Sequence, residues 1–173
     1  GISVKLNWNQ ILGFSDSFET YDDFATGQFG DWKSVDLDQT PVYPIGLGSA
    51  SNIVTFPGSG DASNPKPIAP IVFNPWNTVP AMLPTDVAMQ APDGNKYVVF
   101  FSPQGAQADK WLISPLIDIY DDYELKITAK SYIDMYNEKM EFAVSETGSD
   151  NPDDFVVLSN VQNIPSDRWT VYS

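Results

Sequence analysis

"YELKITAKSYI", residues 123–133, decides the class of fold. Its residues alternate with period two: Tyr123, Leu125, Ile127, Ala129, Ser131 and Ile133 share one face, and Glu124, Lys126, Thr128, Lys130 and Tyr132 share the other. A helix would need apolar residues at i, i+3 and i+4. Alternation instead presents one face to a core and one to water, which is the pattern of a half-buried antiparallel strand. "KMEFAVSE", 139–146, repeats it with Met140, Phe142 and Val144 inward and Glu141, Ala143 and Ser145 outward. The intervening "DMYNE", 134–138, reads as a turn, so the two segments predict a hairpin or a neighbouring pair.

Outward from there, "YVVFFS" (97–102), "WLIS" (111–114), "FVVLSNV" (155–161) and "WTVYS" (169–173) add short β-rich runs, and no window of helical length carries a helical stripe. The expectation is an all-β sandwich of antiparallel strands spanning 1–173 as a single domain. Between residues 41 and 103 lie 11 of the 14 prolines, in "TPVYPIG", "SNPKPIAPIVFNPW", "TVPAMLPT" and "QAPDG". Proline lacks the N–H that helices and central strands need, so 41–96 reads as a zone of long loops around short strands.

Composition narrows the chemistry. The 173 residues suffice for one domain with a substantial core. With 23 acidic and 9 basic residues the net charge is −14, which repels nucleic acid and favours divalent cations. There is no cysteine and no histidine, so thiol nucleophiles, Ser-His-Asp triads and imidazole or thiolate zinc sites are impossible. No run reaches the roughly 18 apolar residues of a membrane-spanning helix. The chain opens Gly-Ile-Ser rather than on a basic-then-apolar leader, which predicts a mature fragment.

Five pieces in order carry a resemblance: "DSFETY" (16–21), "GDWKSVDLD" (30–38), "DKWLISPLIDI" (109–119), "FAVSETGSDNPDDFVVL" (142–158) and "RWTVYS" (168–173). Together they resemble the gingipain-type cleaved adhesin domain, also known as the choice-of-anchor J domain, over residues 14–45 and 97–172. The resemblance implies a jelly-roll β-sandwich that serves as a non-catalytic adhesion or ligand-binding module. Such a module is secreted or anchored at the outer membrane of a Gram-negative bacterium, beside other modules of the same polypeptide. It implies a glycan or an extracellular protein as ligand, and bound calcium. Two departures stand out: the family's Asp-Gly-Asp-Gly loop is "DLDQTPVYPIG" here, and the Pro-rich stretch from 57 to 92 has no counterpart.

A calcium ion wants six to eight oxygens, several of them carboxylate. Seven acidic residues fall from Asp16 to Asp38 with Lys33 as the only base among them. The candidate metal set is Glu19 with Asp36 or Asp38, joined by Asp109 at the head of "DKWLISPLIDI", so that the ion would staple the start of the domain to its middle. The alternative is that Asp109 caps a turn and the acidic cluster is a solvated face. For a ligand, the Pro-rich loops offer Trp76, Phe73 and Tyr43, because proline pre-orders a loop and lowers the entropy cost of holding a ring there. Packing under its own loop is the competing role for Trp76, and core packing the expected one for Trp32 and Trp111.

An enzyme reading needs a carboxylate pair. Glu141 and Glu146 fall on opposite faces by strand parity, and no Glu-x-Asp-x-x-Glu pattern is present with Glu138 or elsewhere. A carboxylate-dependent glycan-processing enzyme and a ligand-free structural spacer remain the alternatives. In the family resembled, further strands follow the late tryptophan, whereas this chain stops at Ser173 with the C-terminal family strands absent. Leu125, Ile127, Phe142 and Val144 would then be exposed unless the Pro-rich segment, another chain or residues 2–8 covered them. Ile2, Val4 and Leu6 alternate with Ser3, Lys5 and Asn7, which favours the last; 1–13 is otherwise a linker from a preceding module.

Overall fold

The computed structural model describes residues 14–45, 53–83, 85–118, 124–135 and 138–173, so the segment 2–8 lies outside the described residues. The chain is mostly β, with no α-helix among the described residues. Nor is any helix there long and apolar enough to cross a membrane. The strands are β1 (Gln28–Phe29), β2 (Trp32–Asp36), β3 (Gly60–Asp61), β4 (Asn64–Pro65), β5 (Ile71–Phe73), β6 (Tyr97–Val99), β7 (Lys110–Ile113), β8 (Ile127–Ala129), β9 (Lys139–Val144), β10 (Val156–Gln162) and β11 (Thr170–Tyr172). They form one three-stranded sheet, β1-β2-β7, and the two-stranded pairs β3-β4, β5-β6, β8-β11 and β9-β10, all antiparallel.

Each of the six runs between residues 97 and 173 expected to be a strand contains one, but two partners differ from expectation. β8 does not pair with β9. It pairs with β11, Ala129 opposite Thr170 and Ile127 opposite Tyr172, while β9 pairs with β10 from Val144–Val156 to Lys139–Gln162. Beyond β8 the chain is tied toward the approach to β11: Ser131 N–H donates to the Pro165 carbonyl at 2.9 Å, and Ser166 N–H to Asp134 Oδ1 at 3.3 Å. Alternation fixes which face a residue takes and carries no information about the neighbour. "DSFETY" forms a turn: Asp16 Oδ1 accepts the Phe18 N–H at 2.7 Å, and Phe18 has φ 63°.

The core lies where loops were expected. Val42, Ile45, Val54, Phe56, Ile68, Ile71, Phe73, Met82, Met89 and Phe101 make one buried cluster, and Pro70 and Pro75 are fully buried with it. Proline forbids long ladders but not burial, since its ring is apolar and rigid. The zone is therefore held by fragments: β5-β6, and the single bridges Thr26–Ile71, Val42–Pro103 and Thr55–Val79. At its centre Phe24, Phe56 and Phe101 stack in sequence at 5.3 and 5.5 Å, and Phe73 meets all three edge-on.

The late strands, by contrast, are thinly covered. Leu125 is 57% exposed, and Ile127, Phe142 and Val144 are half-buried. The β8-β11 pair docks on the core through Trp169, whose Nε1–H donates to the Gln90 carbonyl at 3.0 Å and whose ring meets Tyr97 at 5.6 Å. Lys130 Nζ adds a bond to the Ala88 carbonyl at 3.0 Å. The β9-β10 pair is tied through Phe155 on Trp111 at 5.7 Å and through Lys33 Nζ on Asp150 Oδ2 at 2.8 Å.

Candidate functional site

The expected metal residues divide between two places. Glu19 serves the loop before β6: its Oε1 accepts the N–H groups of Asn95 and Lys96 at 2.8 and 2.6 Å. Gly94 has φ +69°, which favours glycine there, and a Cβ at that position would stand 2.4 Å from that same oxygen and displace the Glu19 carboxylate. Asp36, Asp38 and Asp109 meet elsewhere, where β2 pairs with β7. Asp36 is opposite Lys110 in that ladder, and Asp109 precedes it by one residue.

At this second place a lysine stands among the carboxylates. Lys110, its side chain 2% exposed, puts its ammonium 2.8 Å from Asp36 Oδ1, 3.4 Å from Asp38 Oδ2 and 3.0 Å from the Ile68 carbonyl. An ammonium has three donors, and all three have acceptors here. Asp38 is further held by N–H groups of Thr40 at 2.9 Å and Asp109 at 3.0 Å. Burial works to raise the pKa of Asp38, but those two N–H donors and the Lys110 charge outweigh it and hold the carboxyl below its ordinary range. Asp109 points away: its Oδ1 accepts the Trp111 Nε1–H at 2.8 Å, and it is exposed. Strand parity explains this, since Asp109 and Lys110 must face opposite ways.

The four acidic residues therefore do not fit a calcium ion as one set. No group of three or more acidic side chains converges as a metal site among the described residues. Asp109 is a capping residue for the Trp111 indole, and the cation at Asp36 and Asp38 is an ammonium. Lys110 is the residue missed in the sequence. Its signal was its place one step beyond Asp109, which puts it on the inner face of the same strand.

A second polar network frames Trp76. Asp23 accepts Nδ2–H bonds from Asn74 at 3.1 and 3.2 Å and another from Asn77, and it pairs with the Lys96 ammonium at 2.9 Å. Asn74 Oδ1 in turn caps the 3-10 turn Pro75–Asn77 by accepting the Trp76 N–H at 3.1 Å. Burial favours a raised Asp23 pKa, but the bonds from Lys96, Asn77 and Asn74 overcome it and keep the carboxylate ionised below its ordinary value. Nearer the start, Asp16 Oδ2 accepts both the Tyr21 hydroxyl at 2.6 Å and the Trp32 indole N–H at 2.7 Å. That bond to Asp16, with burial, pushes the Tyr21 phenol up to about 12.

The three expected ligand-binding rings have three different placements. Phe73 is 0% exposed and central to the core, so it cannot stack on a ligand from solvent. Trp76 is half-buried in its capped turn. Tyr43 is 58% exposed. Its backbone is nevertheless fixed on both sides: Tyr43 N–H donates to Ser102 O at 3.1 Å, Val42 N–H to Lys66 O at 3.1 Å, and Gln104 Nε2 to Val42 O at 2.8 Å. Beside it lies a shallow hollow lined by Pro44, Ile53, Ser59 and Asp61, with free volume of about 10 Å³. That holds about one water, so a ligand there would lie across the surface rather than enter it. An open groove of about 290 Å³ adjoins the acidic centre and is lined by Thr26, Asp36, Gln39, Pro57, Pro67 and Ile68.

Of the three late glutamates, Glu138 Oε1 accepts the Ser102 hydroxyl at 3.4 Å, and Glu141 and Glu146 are exposed. In comparisons with known proteins, no family model, no curated protein and no solved structure matches the chain.

Proposed function

We propose that the chain is a non-catalytic, extracellular ligand-binding or adhesion module whose ligand is a glycan or an extracellular protein. Its strands belong to a jelly-roll sandwich of the kind the sequence resembles, secreted or anchored at the surface of a Gram-negative bacterium among other modules of the same polypeptide. The observation that carries the reading is Tyr43, an exposed ring on a fixed backbone. Three hydrogen bonds and two flanking prolines, Pro41 and Pro44, hold Val42 and Tyr43 in place, and Val42 is rooted in the core. Binding to such a ring loses little conformational freedom, and a flat aromatic face suits the apolar face of a sugar ring or a protein side chain. Asp61 beside it offers carboxylate oxygens to hydroxyl donors.

Asp23, Asp36 and Asp38 are engaged by lysines, and Asp23 and Asp38 are held below the ordinary carboxylate range by their hydrogen bonds and lysine partners, which fits structural roles for these three.

The test is a screen of glycans and matrix proteins against the chain and its Tyr43→Ala variant. Saturable binding that falls at least tenfold in Tyr43→Ala, with unchanged melting temperature, supports the reading. Release of reducing ends from a polysaccharide, abolished by one Glu or Asp substitution, would replace it with the enzyme. Equal binding by both proteins would remove Tyr43 from the surface.

A further inference from the structure

We infer that the Lys110 ammonium is the built-in cation of the acidic centre at Asp36 and Asp38, and that taking it away converts the centre into a calcium site. Its surroundings are those of a metal ion: two carboxylates and one backbone carbonyl, all within 3.4 Å of one buried positive charge. A fourth oxygen is in place, because Asp36 Oδ2 is buried with no hydrogen-bond partner and the Asp36 side chain is only 4% exposed. An orphaned buried carboxylate oxygen is costly, and it signals a coordination shell that a lysine with three protons fills incompletely.

Without Lys110 the centre would keep Asp36 Oδ1 and Oδ2, Asp38 Oδ2 and the Ile68 carbonyl around the space its side chain leaves. Two buried negative charges with no counter-charge are strongly unfavourable, and a divalent cation balances both, where the ammonium balances one. Calcium takes six to eight oxygens in flexible geometry, and water from the adjoining groove, which Asp36 and Ile68 line, supplies the remainder. The inference uses none of the Tyr43 contacts and stands whether or not the proposed ligand-binding role holds.

The experiment compares melting temperatures in excess calcium chloride and in EDTA, with sensitised terbium emission from the neighbouring Trp111 as a direct readout of occupancy. The unaltered chain should melt at the same temperature in both solutions and bind no terbium at this centre. Lys110→Ala should melt about 5–10 °C lower in EDTA, recover at least half of that loss in calcium, and gain terbium emission that calcium displaces. Lys110→Ala/Asp36→Asn should show neither response. A Lys110→Ala protein with equal melting temperatures in the two solutions overturns the inference. So does one that cannot be folded in calcium while Lys110→Met/Asp36→Asn, which removes both charges, folds. Calcium stabilisation of the unaltered chain that Asp36→Asn abolishes would also overturn it, since the lysine would then share the centre with a metal.

Discussion

Phe73 stands edge-on to Phe56, ring centroids 5.5 Å apart and planes at 81°. It makes the same kind of contact with Phe24, Phe101 and Tyr97, so one ring is the hub of four aromatic contacts. Each such pair contributes about 0.5–1.5 kcal/mol beyond the area it buries. Phe73→Ala should therefore destabilise the chain by about 3–5 kcal/mol, read as a lowered denaturant midpoint. Phe73→Leu should lose clearly less. An equal loss for both would mean that ring geometry, and not filled volume, dominates at this place.

Acid should weaken the chain through Asp23 and Asp38. Both carboxyls are held below their ordinary value of 3.8 in the folded chain. A depressed folded pKa contributes stability that is fully present above the unfolded value and is lost as pH falls through the folded one. Denaturant midpoints should thus be flat in this contribution above about pH 5 and fall below about pH 4. In Asp23→Asn the fall should be shallower and the midpoint at neutral pH lower, because Lys96 would lose its partly buried partner. A variant with the unaltered pH profile would detach this effect from Asp23.

Trp169 should govern how firmly β8-β11 is docked. Trp169→Phe keeps a ring against Tyr97 but deletes the indole N–H bond to the Gln90 carbonyl. The expected loss is about 1–2 kcal/mol, with amide exchange accelerated in Ile127–Ala129 and Thr170–Tyr172 ahead of the core strand Ile71–Phe73. Uniform acceleration across both regions would show that the pair unfolds only with the whole chain.

Leu158 on β10 is 67% exposed, although it sits in an apolar run. Leu158→Lys should change stability by no more than about 0.5 kcal/mol, whereas the same substitution at Ile113, buried on β7, should prevent folding. A destabilised Leu158→Lys chain, measured by its denaturant midpoint, would mean that this face is covered in solution.

The sequence by itself determined the class of structure. Period-two alternation at 123–133 and 139–146, and the apolar runs at 97–102, 111–114, 155–161 and 169–173, each yielded a strand, because alternation is a local consequence of the pleat and needs no knowledge of the partner. Partnership was decided only in three dimensions: β8 lies against β11 because Ser131 and Asp134 tie their loop to 165–166, a contact between residues more than 30 positions apart. The location of the core was equally hidden. Eleven prolines made 41–103 read as loops, yet the absence of an N–H restricts hydrogen bonding and leaves apolar rings free to be buried, so Phe56, Phe73 and Phe101 gather there. At the acidic centre, composition gave carboxylates in excess and pointed to a metal. The β2-β7 register instead set Lys110 opposite Asp36, and a buried charge is settled by the nearest counter-charge that the fold delivers.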